Sequence, residues 1–274
     1  ILRDSNPGSV TLTPGGVGRN IAHDLCLLGL DVSLVSAVGV DSNGEFLLDR
    51  CRGLGMDVSR VRVVPGARSS SYLYITDERG DMQLAVNDMA VCNEISPEYL
   101  ERVLPGIQAG ALVLDTNLPV ESLEFICRSS CIPLYADPVS SVKAMKLHGV
   151  MKHLRAIKPN ALEAAALTGQ TDPELAARAL IDEGVQRVFI SLGTNGMIAA
   201  EGSRILRMPS PEANVVNATG AGDAAMSAIV WADLHGLSLE DSARAAQLAG
   251  AITCASEESN APELSRLPGL LAAE

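Results

Sequence analysis

The sequence predicts an α/β fold, a three-layer α/β/α arrangement with a mostly parallel central sheet and a small separate β-sheet attached. The first observation is a set of short apolar runs that read as strands buried on both faces: Val32–Val38, Ala111–Leu114, Ile132–Ala136 and Val188–Leu192. The second is that helix-period segments alternate with them, at Ile21–Leu28, Gly44–Leu54, Val120–Arg128, Ala161–Thr168 and Glu174–Glu183. Strands alternating with helices fit parallel crossovers with helices on both faces. The third is a break in that pattern. Residues 61–88 alternate in β fashion around turn signals at Pro65-Gly66 and residues 78–81, which predicts antiparallel strands without covering helices. Val10–Thr13 could add another, so a lid is predicted from about residues 3–13 and 61–88; the plainer reading is an edge hairpin.

No repeat or linker divides the chain, so residues 1–274 read as a single domain. A chain this long can hide roughly 75% of its unfolded surface. Its net charge of −12 argues against a nucleic-acid polymer or an anionic membrane as partner. No apolar run approaches the roughly 18 residues that span a bilayer. The six cysteines are scattered without a CxxC pair, which fits buried or inert thiols in a reducing cytoplasm.

Two glycine clusters carry the chemistry. In Asn217-Ala218-Thr219-Gly220-Ala221-Gly222-Asp223, a glycine-rich turn opens directly into an apolar helix. The first amides of a helix lack internal partners and sit at its positive end, so such a turn suits a phosphate. Asp223 would repel that phosphate, which makes sense if it takes a proton from an attacking hydroxyl. The plain alternative is a carboxylate stabilised by the helix dipole. The other cluster, Gly15-Gly16-Val17-Gly18-Arg19-Asn20, also opens a helix, but its GGxG spacing departs from the dinucleotide GxGxxG.

The two clusters together resemble the paired signatures of the PfkB (ribokinase-like) carbohydrate and nucleoside kinases. Lys158-Pro159-Asn160-Ala161-Leu162-Glu163 resembles that family's KPNxxE segment, and Ser191-Leu192-Gly193-Thr194-Asn195-Gly196 its S-x-G-x-x-G strand end. The resemblance implies an ATP-dependent phosphotransferase with Asp223 as general base and the amides of Gly220, Ala221 and Gly222 as an anion hole. It implies sugar contacts at Gly15, Gly16 and Asn20. Nucleotide contacts are implied at Asn160, Ser191, Gly193, Gly196, Thr219, Gly220 and Gly222, and Mg²⁺ held through water near Glu163 and Asn160. On spacing alone, Asn160 and Glu163 also read as a helix N-cap with its capping-box glutamate. A monovalent cation such as K⁺ and a homodimer formed through the lids are family expectations.

Finer matches resemble the pseudouridine-kinase branch: Asp4–Gly8, Pro14–Asn20, Ala85–Met89, Asp137–Lys143 and Ser259–Pro262. By that similarity Ser5, Asn6, Asp88 and Lys143 contact the substrate, Asn260 lies near the nucleotide, and the reaction is phosphorylation of the 5′-hydroxyl of pseudouridine. The alternatives are a kinase for ribose or another nucleoside, and a non-catalytic nucleoside-binding protein. All four lysines fall within residues 143–158, where with Arg155 they form a local basic excess. Lys143 and Lys158 read as anion-facing, whereas Lys146 and Lys152 read as a solvated face. The resemblance also implies a further strand and an aspartate before Ile1, so the sequence reads as lacking its first strand.

Overall fold

The computed structural model describes residues 7–77 and 82–272. In chain order the elements are α1 (Val17–Leu27), β1 (Ser36–Gly39), α2 (Ser42–Gly53), β2 (Val61–Val64), β3 (Ser71–Thr76), β4 (Met82–Asp88) and α3 (Pro97–Val103). There follow β5 (Leu112–Asp115), α4 (Val120–Ser129), β6 (Leu134–Asp137), α5 (Ser141–Ala144), β7 (Leu154–Ile157), α6 (Ala161–Thr168) and α7 (Pro173–Asp182). The last part holds β8 (Arg187–Ser191), β9 (Met197–Glu201), β10 (Arg204–Met208), α8 (Ala221–Leu234), α9 (Leu239–Cys254) and α10 (Leu267–Ala272).

The main sheet has six strands in the order β10-β9-β8-β7-β6-β5. Strands β5 to β8 run parallel, and β9 and β10 add antiparallel strands at one edge. Both faces are apolar because neighbouring residues alternate sides. Val188 and Ile190 pack on one side with Leu123, Leu167 and Leu180, while Phe189 packs on the other with Ile21, Met226 and Ile229. Helices α4, α6 and α7 thus cover one face, and α1, α8 and α9 the other, giving the predicted three layers. Phe189 is fully buried, and truncating such a side chain to alanine costs about 3–5 kcal/mol.

Two expectations about the lid need correcting. Val61–Val64 pairs in parallel with Ser36–Gly39, so it belongs to a two-stranded parallel sheet beside the core. Its burial does not alternate, since Val63 is exposed and Val64 packs against the core, and apolar spacing of itself does not set the direction of the partner strand. Val10–Thr13 forms no strand; the segment is extended, and Val10 is 98% exposed. Only β3 and β4 form the antiparallel hairpin, with Leu73 opposite Val86 and Ile75 opposite Leu84. Among the cysteines, all of them free thiols, Cys51 and Cys127 are buried and Cys131 is exposed. Among the described residues, no helix is long and apolar enough to cross a membrane.

Candidate active site

Each parallel strand of the main sheet delivers a polar residue at its carboxyl end. Asp115 closes β5, Asp137 closes β6, Lys158 follows β7 and Ser191 closes β8. That edge is where ligands sit in open α/β sheets. The start of α8 reaches over it, and an open cleft of about 380 Å³ is lined by Asp137, Lys158, Asn160, Glu163, Ser191, Gly193, Gly222 and Asp223. A second cavity of about 390 Å³, near Cys131, His153 and Arg155, contains none of the predicted site residues.

Helix α8 begins at Gly220, whose φ of 86° is natural only for glycine. A Cβ there would lie 2.0 Å from the Ser259 carbonyl, so the turn needs glycine for space as well. The Ala221 amide makes a long 3.4 Å bond to the Ala218 carbonyl. Among the described residues, the amides of Gly220, Gly222 and Asp223 have no acceptor. The open donors therefore include Asp223 itself, and Ala221 is the weakest member of the predicted set.

Asp223 is held by Asn20, whose Nδ2 donates to its Oδ2 at 2.6 Å. Burial pushes its pKa up to about 7; the Asn20 bond opposes this, Asp137 adds to it, Lys158 opposes it and Asp115 adds to it. A carboxylate of that basicity is matched to a proton-accepting role near neutral pH. Lys158 Nζ lies 3.2 Å from Asp137 Oδ2, and both side chains are buried. Burial works against the ammonium charge, but Asp137, Glu163 and Asp223 around it carry its pKa net above the ordinary lysine value. The same ammonium is 3.5 Å from where a Cβ on Gly222 would sit, so it stands at the open end of α8.

Asn160 and Glu163 form a complete capping box at the start of α6, with Oδ1 and Oε2 each accepting a backbone amide at 2.9 Å. That occupies one oxygen of Glu163 and leaves its carboxylate facing the cleft. One carboxylate cannot enclose a divalent ion, and the described residues contain no group of three or more His, Cys, Asp or Glu arranged to hold one. The donor set does fit a hydrated Mg²⁺ carried on substrate phosphates, because Mg²⁺ keeps most of its water.

The remaining predicted residues divide. Gly193 lines the cleft, and Thr219 is exposed in the turn before α8. Gly15 and Gly16 are exposed ahead of α1, with Gly16 at φ 96° as its N-cap. Lys143 does not line the cleft; its Nζ donates to Asn117 Oδ1 at 2.5 Å. Asp88 is exposed at the end of β4, and its Oδ1 accepts the nearby Ala90 amide at 3.3 Å. Two others do not line the cleft. Gly196 is buried, and a Cβ there would meet the Met208 carbonyl at 1.9 Å, so it serves the approach of β10. Asn260 is turned from the cleft, donating to the Asn20 carbonyl and to Asp24 Oδ1 within the core. Lys146 is also no solvated residue; its Nζ donates to the Thr116 and Leu118 carbonyls at 2.9 and 2.8 Å. Ser5 and Asn6 lie outside the described residues.

Sequence reasoning did not single out Asp115 or Asp137. Each directly follows a predicted strand, and a search of strand carboxyl ends for polar residues would have found both.

The pattern that describes pfkB family carbohydrate kinases matches residues 3–266. The chain belongs to this family. It is a phosphotransferase with an alcohol group as acceptor, on the ribokinase-like fold. Pseudouridine kinase of Escherichia coli is 38% identical over 96% of this chain and 86% of its own length. An uncharacterized sugar kinase of the same organism, YeiI, is 37% identical over 95% of this chain and 74% of its own. A putative sugar kinase from Clostridium perfringens superposes with a TM-score of 0.86 at 28% identity, covering 100% of this chain and 89% of the other. The family resemblance drawn from the two glycine clusters is borne out, and so is the fold.

Proposed function

We propose that this family member transfers the γ-phosphoryl group of ATP to the 5′-hydroxyl of pseudouridine. The observation that carries the chemistry is Asp223, a carboxylate of raised basicity fixed by Asn20 beside the open amides of α8. Asp223 accepts the 5′-hydroxyl proton as the oxygen forms its bond to phosphorus and the bond to the β-phosphate oxygen breaks. The amides of Gly220, Gly222 and Asp223 receive the charge on the transferred group, and Lys158 adds a fixed positive charge beside them. Glu163 and Asn160 would hold the hydrated Mg²⁺, which supplies charge neutralisation on the phosphates.

The substrate assignment is supported by the similarity to pseudouridine kinase, which covers 96% of this chain. The β3–β4 hairpin acts as a lid. Leu73, Ile75, Leu84 and Val86 share one face, and each is more than half exposed. That face suits closure over a ligand or pairing with a second copy, and we infer a homodimer on this basis.

The test is a panel of pseudouridine, uridine, inosine and ribose with ATP and Mg²⁺, read as kcat/KM. Pseudouridine is expected to exceed ribose at least ten-fold. Equal or better turnover of ribose would move the protein to the sugar-kinase side of the family.

A further inference from the structure

Among the described residues, one non-glycine residue has positive φ: Val139, at 63°. A β-branched side chain crowds its own backbone there and adopts that conformation only under constraint. Glycine takes it freely, and the chain places glycine at twelve other such positions. Val139 is therefore the exception, and it lines the cleft between Asp137 and α5.

The surrounding bonds show what imposes the conformation. The Ser140 amide donates to the Pro138 carbonyl at 2.6 Å, closing a tight three-residue turn. Thr116 Oγ1, just past β5, donates to the same carbonyl at 2.6 Å. The Val139 amide then points back and donates to Asp137 Oδ1 at 2.8 Å. With Oδ1 held by the turn, Oδ2 is left to face Lys158 Nζ at 3.2 Å. Lys158 in turn abuts Gly222 at the start of α8. A relaxed turn with negative φ would take the Ser140 amide off the Pro138 carbonyl, so the Pro138–Val139 peptide plane, which carries the Val139 amide, would lose one of the two bonds that fix its rotation and with it the aim of the first of these links.

We propose that the strained turn at Val139 is a positioning element for phosphoryl transfer. It locks Asp137 against Lys158, so that the ammonium group stands where the transferred phosphoryl group gathers negative charge. The proposal rests on the reading of this cleft as the phosphotransfer site. Strain is the cost of that aim, and its relief separates this role from ordinary packing, because stability and turnover then move in opposite directions.

The experiment compares Val139→Gly, Val139→Ala, Asp137→Asn and the double variant Val139→Gly/Asp137→Asn by thermal melting and ATP-dependent turnover, with Asp223→Asn as control. Val139→Gly relieves the strain and is expected to raise Tm by about 2–5 °C. Its kcat is expected to fall at least ten-fold. Val139→Ala removes the β-branch but keeps the Cβ, so its Tm rises less than that of Val139→Gly and its kcat stays at least five-fold above that variant's. Asp137→Asn breaks the same link, so the double variant is expected to be no slower than Asp137→Asn alone. Wild-type turnover in Val139→Gly, a lowered Tm in that variant, or losses that multiply in the double variant would each overturn the proposal. Wild-type turnover in Asp223→Asn would instead overturn the reading beneath it.

Discussion

Helices α1 and α8 begin alike and end up doing different work. Each starts at a glycine of positive φ, Gly16 at 96° and Gly220 at 86°, and neither start has a side-chain cap. In α1 the positive end is already filled. The Gly18 amide donates to Asp115 Oδ2 at 2.9 Å, and Arg19 bonds the Pro14 and Gly15 carbonyls across the turn. In α8 the first amides are open, with Lys158 beside them and Asp223 in the first turn. A glycine turn before a helix is thus only an opportunity for anion binding. A resident carboxylate closes it, and a neighbouring ammonium keeps it open. The two starts are joined by the bond from Asn20 to Asp223, so on the proposed reading α1 aims the base while α8 gathers charge.

The contrast is tested most severely by filling each turn. Gly220→Ala puts a Cβ 2.0 Å from the Ser259 carbonyl at positive φ, whereas Gly18→Ala meets only the Asp115 carboxylate at 2.9 Å. Chemical denaturation should show a loss of about 2–4 kcal/mol for Gly220→Ala and about 1 kcal/mol or less for Gly18→Ala. Similar losses would mean that the two turns are equally constrained.

Cutting the contact between the helices comes next. Asn20→Ala should lower kcat by about 10- to 100-fold. Because the Asn20 bond holds the Asp223 pKa down, its loss should also move the acid limb of the kcat profile, expected near pH 7, to higher pH. Asp115→Asn should move that limb the other way, by roughly half a unit, since it removes a negative charge that holds the Asp223 proton on. Shifts of the same sign in both variants would contradict this electrostatic assignment.

The smallest effect concerns Asp24, fully buried on the inner side of α1, with Oδ1 bonded to Asn260 and, among the described residues, no hydrogen-bond partner for Oδ2. Burial pushes its pKa up to about 7, as it does that of Asp223. A carboxyl with a raised folded-state pKa holds its proton more tightly when folded. Its stabilising contribution is therefore complete below about pH 4 and lost as pH rises through about 7. The ligand-free protein should melt at lower temperature at pH 8 than at pH 6, and Asp24→Asn should shrink that difference. An unchanged difference would show that Asp24 is not a source of it.

Much of this was readable before the structure. The strands at Ala111–Leu114, Ile132–Ala136 and Val188–Leu192 stood out because burial on both faces leaves a continuous apolar run. Strand β9, Met197–Glu201, was harder to read because Ala199 and Ala200 suit a helix equally well. The antiparallel reading of Val61–Val64 failed because apolar spacing says nothing about the partner's direction. At the site, Asp223 and the glycine turns were legible because their spacing is local. The bonds of Asn260 to α1 and the Asp137–Lys158 pair went unseen, since each depends on contacts between residues distant in sequence.

The central claim is that the open start of α8 carries phosphoryl transfer with Asp223 as its base. The most direct measurement is ³¹P NMR of product formed from ATP, Mg²⁺ and pseudouridine by the wild-type protein and by Asp223→Asn, with folding of both confirmed by melting. The expected result is pseudouridine 5′-phosphate from the wild type and a rate about 10²- to 10⁴-fold lower in the variant at unchanged Tm. ATP consumption without a phosphorylated nucleoside, or an Asp223→Asn rate within a few-fold of wild type, would contradict it.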